Sequence, residues 1–152
     1  MHVVAFNGSP RKNGNTARLV RHCLDTLESE GISTEMVQVG GTNIRGCCSC
    51  LSCRKKAVEV CAITSDPFNE WIEKMKNAEG IILASPVYMF GTTPEMKALI
   101  DRASFIARGR VRRGEQGSMF YRKVGGAISA VRRAGAIQTL QTMISMFAVT
   151  QM

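Results

Sequence analysis

No apolar run in the sequence is long enough to cross a bilayer, so a helical membrane span is excluded. No charged, then apolar, then small-residue leader opens the chain. It passes at His2 straight into a strand-like segment, and a cytoplasmic protein is expected. Histidine is scarce: His2 begins that strand, and His22 lies on an otherwise polar helix face, so both read as incidental. Neither joins a Ser–His–Asp set, and no carboxylate pair stands out, which leaves hydrolysis by either device without its residues. Acidic residues are few, 12 against 20 lysines and arginines, for a net charge of +8 and a pI near 9.5. That balance favours anionic partners. Basic residues gather at Arg102, Arg108, Arg110, Arg112 and Arg113, then at Arg122, Lys123, Arg132 and Arg133. Aromatics make up only 6% and do not interleave this stretch, and no nucleic-acid motif matches, so nucleic acid is not the expected partner. A phosphorylated cofactor accounts for part of the charge and a solvated surface for the rest.

What is present suits one domain over residues 1–152, with 45% hydrophobic and 21% charged residues. Strand-like and helix-like segments alternate, which predicts a parallel sheet covered by helices on both faces. The first strand is His2–Phe6 and the first helix starts near Asn15, with Leu19, Val20, Cys23, Leu24 and Leu27 at helical spacing. Gly31 ends that helix. Ser33–Val39 forms the second strand. After a Gly- and Cys-rich excursion over residues 40–64, Asp66-Pro67 opens a helix with Phe68, Trp71, Ile72 and Met75 on its buried face. Gly80–Ser85 is almost wholly apolar, as a central parallel strand should be. Thr93-Pro94 opens the next helix, with Met96, Leu99, Ile100 and Ala103 inward. A basic loop leads to Lys123–Ala130, and Gly135 opens a last helix whose expected inward residues are Ile137, Leu140, Ile144 and Phe147. Residues 148–152 read as the first half of a fifth strand. The expectation is a sheet left incomplete at one edge with apolar surface exposed there, through truncation or because a partner covers it.

Gly8-Ser9-Pro10-Arg11-Lys12-Asn13-Gly14-Asn15-Thr16 joins the first strand to the first helix. Free N–H groups and the helix dipole make such a junction an anion cradle. Gly8 and Gly14 are expected to permit tight turns, Ser9, Asn15 and Thr16 to donate, and Arg11 to add charge. The Walker loop fails, because five residues rather than four separate the glycines and Asn15 follows where lysine belongs. The dinucleotide fingerprint fails for want of a third glycine. A well-capped polar turn is the plain alternative.

This loop resembles the phosphate loop of the NADPH-dependent FMN reductase family. Three further segments are similar in order and spacing: Ser85-Pro86-Val87-Tyr88-Met89-Phe90-Gly91, Lys97-Ala98-Leu99-Ile100-Asp101-Arg102, and Ala130-Val131-Arg132-Arg133-Ala134-Gly135. The resemblance spans nearly the whole chain. It implies a flavodoxin-like doubly wound sheet of order 2-1-3-4-5, here with the fifth strand and last helix incomplete. It also implies FMN held by Ser9, Arg11, Asn13, Asn15 and Thr16. The isoalloxazine would lie against Pro86, Val87, Tyr88, Met89, Phe90 and Gly91, with Val131, Arg132 and Gly135 on a third loop. In such a sheet the ligand rim lies at the carboxyl ends of strands one and three, where the winding reverses. Tyr88 suits either stacking on the ring or ordinary packing.

Five of the six cysteines fall between Cys47 and Cys61, which in a cytosolic chain points to metal or redox chemistry more than to disulfides. Cys47, Cys50, Cys53 and Cys61 have the pattern C-x2-C-x2-C-x7-C. Three close thiolates can wrap a face of a cubane and a fourth can return from further along, so the spacing favours iron–sulfur over zinc. It resembles the compact motif of iron–sulfur flavoproteins. A 4Fe–4S cluster and redox-active or idle thiols both remain open, and Cys48 sits where no ligand belongs. Cys23 is expected in the core.

The implied activity is NAD(P)H-dependent reduction of bound FMN and transfer to a flavin or quinone-type acceptor, by a homo-oligomer. The alternative is an iron–sulfur flavoprotein that carries electrons between protein partners.

Overall fold

The computed structural model describes residues 1–152. In chain order the elements are β1 (His2–Asn7), α1 (Asn15–Ser29), β2 (Ser33–Gln38), α2 (Ser52–Lys55), α3 (Phe68–Asn77), β3 (Gly80–Pro86), α4 (Pro94–Ala107), α5 (Gly109–Arg112), β4 (Val124–Ala130) and α6 (Ala136–Val149). The four strands form one sheet in the order β2-β1-β3-β4, and every pair is parallel. Val4 faces Glu35 on one side and Ile81 on the other, while Ile82 faces Gly126. This is the doubly wound arrangement of the flavodoxin-like fold, with β1 and β3 adjacent at the point where the winding reverses.

Period-two alternation divides the strands between two cores. Val4, Phe6, Ile81 and Leu83 face α3, α4 and α6, meeting Phe68, Trp71, Ile72, Met75, Met96, Leu99, Met143 and Phe147. Ala5, Ile82 and Ala84 face the other way and meet Val20 and Leu24 of α1. Burial of each large side chain in the first core is worth about 2–3 kcal/mol. α1 stops as its sequence dictates. Gly31 has φ +76°, its N–H donates to the Glu28 carbonyl, and the Ile32 N–H donates to that of Leu27, a Schellman closure. At α3, Asp66 Oδ1 accepts from the Phe68 N–H at 3.2 Å, and Pro67 precedes the first turn.

Some expectations need correction. Residues 148–152 do not start a fifth strand: α6 runs to Val149, and Thr150 closes it by bonding back to the Met146 carbonyl. β4 is thus an edge. The inward face of α6 is carried by Thr139, Met143, Met146 and Phe147, with Leu140 only partly covered. Ile137 and Ile144 point outward at 67% and 52% exposure. The helix carries two apolar stripes, so its phase is decided by what fits the sheet. Leu19 is exposed as well, and the basic loop contains the short helix α5. Cys23 is half-buried against the smaller core. Apolar surface at the β4 edge and on α6 is exposed, as expected, with Val124 the most open. No helix is long and apolar enough to cross a membrane.

Candidate functional site

The loop between β1 and α1 is fixed from below before it can hold anything. Gly8 sits so close to β3 that an added Cβ would lie 2.9 Å from the Ala84 carbonyl oxygen, and its N–H donates to that oxygen at 2.7 Å. Gly40, just after β2, presses still closer: a Cβ there would lie 2.3 Å from the Gly8 oxygen. Neither Gly8 nor Gly14 has positive φ: Gly8 is needed for close approach, while Gly14 closes a tight turn by donating its N–H to the Arg11 carbonyl at 3.0 Å. Gln38 Nε2 donates to the carbonyls of Ser9 and Gly40, both at 2.6 Å, and Gln38 Oε1 accepts from Asn7 Nδ2 at 2.8 Å. From the far side, the buried Thr93 hydroxyl donates to the Gly8 carbonyl at 2.8 Å and accepts from the Met96 N–H, capping α4 with the same atom.

What this frame presents is a helix start with no side chain of its own over it. Gly14 is extended at the N-cap of α1 and no side chain caps the first turn. The amides of Asn15, Thr16 and Ala17 have no carbonyl to reach within the helix, and the helix dipole adds partial positive charge there. Ser9 Oγ accepts from the Arg11 N–H at 3.2 Å and keeps its own proton free to donate. An anion with several oxygens fits this arrangement.

In front of it opens a groove of about 1100 Å³. It is lined by Ser9 and Arg11 from the loop, Asn15 and Thr16 from the first turn of α1, Pro86 at the end of β3 with Val87 and Tyr88 after it, and Val131 and Arg132 after β4. The remaining expected residues lie behind or beside it. Asn13 Oδ1 accepts from Arg21 Nη2 at 2.8 Å and so braces the loop from outside. Tyr88 and Gly91 exchange two backbone hydrogen bonds at 2.8 and 2.9 Å, which throws Met89 and Phe90 outward as a two-residue tip. Both tip residues have positive φ, and Met89 is 94% exposed. Gly135, at φ +95°, supports that tip, and a Cβ there would lie 2.7 Å from Val87 Cγ1. Arg18, Leu19, His22 and Ser129 also line the groove. His22 is an exposed residue of α1 that borders the groove. Only the sheet order, which brings α1 beside the end of β4, could have revealed it. Ser129 Oγ is buried without a hydrogen-bond partner.

The cysteine excursion forms a second pocket, lined by Cys47, Cys48, Cys50, Cys53 and Cys61 together with Ile63, Arg102, Phe105 and Ile106. Cys47, Cys48 and Cys50 are exposed, on a segment where Ser49 and Leu51 adopt left-handed φ. Cys53 opens into α2, and its burial pushes its thiol up. Cys50 is lowered by hydrogen bonds from Ser52. Asn69 grips Cys61 on both sides, accepting from its N–H at 2.8 Å and donating to its carbonyl at 3.0 Å. No three such side chains converge on one point as a ready-made metal site. The donor set nevertheless suits a cluster. Four thiols at the iron–sulfur spacing line one pocket, and beside them a buried Arg102 has an Nε–H with no acceptor.

Arg102 and Asp66 form an ion pair at 2.6 Å, each side chain 1% exposed. Burial pushes the Asp66 carboxyl up, but hydrogen bonds from Arg102, the Arg45 N–H and the Phe68 N–H outweigh it and hold the group below its ordinary value. For Arg102, burial pushes down, and Asp66 with Cys61 pulls up by more.

These features agree with what the chain is similar to. The family model for NADPH-dependent FMN reductase matches residues 1–152. An iron–sulfur flavoprotein of Methanocaldococcus jannaschii is 36% identical over all of this chain and 74% of its own length. Another, from Methanosarcina thermophila, is 32% identical over 94% of this chain and 71% of its own. Among solved structures, an FMN-dependent NADH-azoreductase from Bacillus anthracis in complex with FMN superposes with a TM-score of 0.70. It covers 100% of this chain and 83% of the azoreductase at 11% identity. A flavone reductase gives 0.68 at 20% identity, over 99% of this chain and 50% of its own, and both likenesses concern the fold. The match of the family model over residues 1–152, with relatives 36% and 32% identical, places this chain in the NADPH-dependent FMN reductase family of flavodoxin-like oxidoreductases, with iron–sulfur flavoproteins among its relatives.

Proposed function

We propose that the chain is an FMN-binding oxidoreductase that takes electrons from NADH or NADPH and passes them to a flavin or quinone-type acceptor. The observation that carries this reading is the uncapped start of α1, pinned by Gln38, Gly40 and Thr93 and facing a groove walled by the loops after β3 and β4. The amides of Asn15, Thr16 and Ala17 and the hydroxyls of Ser9 and Thr16 bind the phosphate, and Arg11 adds charge. Pro86, Val87 and Tyr88 form the wall for the flat ring, and the Met89–Phe90 tip shields its edge from water. Val131 and Arg132 close the opposite side. FMN supplies the redox chemistry, and the protein supplies orientation and electrostatics. Asn13 and Gly135 act through the loops they brace.

A second reading is favoured by the cysteine pocket: an iron–sulfur flavoprotein that hands electrons to a protein partner. Cys47, Cys50, Cys53 and Cys61 would hold a 4Fe–4S cluster, which supplies one-electron transfer, and Cys48 would stay free. Function in the cytoplasm as a homo-oligomer belongs to the same proposal. The apolar residues exposed around β4 and α6 support association between copies.

Anaerobic purification followed by a visible spectrum, iron and sulfide assays and an NAD(P)H oxidation assay tests both readings. Bound flavin with pyridine-nucleotide turnover is the expected result of the first. Flavin with iron, sulfide and almost no turnover supports the second. A protein that ignores FMN in a titration overturns the site.

A further inference from the structure

We propose that Arg102 is a positioning residue for the cysteine pocket, its Nε–H reserved as a hydrogen-bond donor to a sulfur of a cluster held by Cys47, Cys50, Cys53 and Cys61. The inference rests on the cluster reading above. Its basis is the way this guanidinium is partnered. Nη1 donates to Asp66 Oδ2 at 2.6 Å and to the Arg45 carbonyl at 3.1 Å, and Nη2 donates to the Ile63 carbonyl at 3.2 Å. One face stacks on Phe68, with 4.0 Å from the guanidinium carbon to the ring centroid. The side chain is therefore fixed in orientation and buried, yet Nε finds no acceptor. A buried donor left in that state forfeits its hydration without a replacement, and native proteins seldom tolerate it without a ligand or a function.

Arg102 is the sole charged residue lining the pocket, whose other walls are sulfur and hydrocarbon apart from the Ser49 hydroxyl. Nη1 and Nη2 are engaged by Asp66 and by the Arg45 and Ile63 carbonyls, while five cysteines line the pocket that Arg102 borders, so sulfur is the abundant acceptor there for Nε. Cys61 and Arg102 line the same pocket. Asp66 neutralises the formal charge of Arg102, so the pair offers a directed donor to a thiolate cage without adding a bare cation. Such a donor stabilises the more negative, reduced state of the cage more than the oxidised one and raises its reduction potential.

The test uses the full chain, purified anaerobically or reconstituted with iron and sulfide. In wild-type protein carrying arginine labelled with nitrogen-15 at Nε, pulsed electron paramagnetic resonance of the reduced cluster should detect a hyperfine coupling from a labelled nitrogen. Arg102→Lys keeps the charge and removes the fork. It should retain iron, sulfide and FMN affinity within about twofold while the cluster's one-electron equilibrium shifts tenfold toward oxidation, a fall of about 59 mV. The flavin potential should not follow. A purely structural role would lower stability and cofactor content without splitting the two potentials. Absence of the coupling in wild type, or an unchanged cluster potential in Arg102→Lys, overturns the role of Arg102 while leaving the cluster in place. If wild type takes up no iron, the cluster reading itself fails, and this inference with it. Should the lysine variant fail to fold, the wild-type coupling decides.

Discussion

Replacement of Thr93 by valine isolates the atom on which the phosphate loop and α4 both depend. Thr93 is fully buried, and valine fills nearly the same volume. The change removes two hydrogen bonds, the donation to the Gly8 carbonyl and the acceptance from the Met96 N–H. Loss of an N-cap costs about 1 kcal/mol. Stranding the Gly8 carbonyl costs about 2 kcal/mol more. The sum, about 3 kcal/mol, corresponds to a fall in Tm of about 9 °C for a domain of this size. Thr93→Ser keeps the hydroxyl and loses one methyl, worth about 0.8 kcal/mol. Thermal and urea unfolding of both variants, with and without FMN, should place valine about 2 kcal/mol below serine. FMN titration should find valine weaker by about tenfold and serine close to wild type. If the two variants unfold within 1 °C of each other, the hydroxyl does not tie the loop to the helix, and the account of how the cradle is pinned is wrong.

Gly40→Ala forces a methyl into the Gly8–Ser9 backbone and should abolish tight FMN binding, measured by flavin fluorescence quenching, while the far-ultraviolet dichroism keeps its α/β shape. Riboflavin, which lacks the phosphate, should bind about 100-fold more weakly than FMN, because the charge-assisted bonds at the start of α1 have nothing to grip. Equal affinities would show that the ring loops alone carry binding. Glu59 is held down to about 2, chiefly by the hydrogen bond from Arg110, with Lys76 adding to it against the effect of burial. Its folded value lies below the unfolded 4.5, so its contribution is complete above about pH 4.5 and disappears as the pH falls toward 2. Glu59→Gln should flatten the acid limb of the stability curve in that window and lower stability at pH 7.

Much of the fold could be read from short-range patterns, because they had one physical solution. Gly80–Ser85 is apolar at every position but its ends, and only a strand covered on both faces accommodates that. Asp66-Pro67 and Thr93-Pro94 mark helix starts through atoms seen in place, Asp66 Oδ1 and Thr93 Oγ1. The phase of α6 was not legible. Residues 136–149 offer two apolar stripes, and Met143 and Met146 displace Ile137 and Ile144 because the flexible thioethers fill the space over β3 and β4. The supposed fifth strand failed for a related reason. Ala-Val-Thr suits a strand, yet as the last turn of a helix it gains the Thr150 hydroxyl bond to Met146. In the site, the phosphate loop was visible as a local motif. The bracing by Gln38 and Thr93, and the places of Leu19 and His22 in the groove, depend on contacts between segments far apart in sequence.

α4 has Thr93 at its first turn and Arg102 further along, separated by about 14 Å of helix rise. One stiff rod therefore braces the loop behind one pocket and lines the other. Fraying at its start loosens the grip on an anion, and a shift along its axis carries the guanidinium with it. The two places where electrons would rest are held in mechanical register by a single element, so a mutation that tilts that rod should disturb both pockets together.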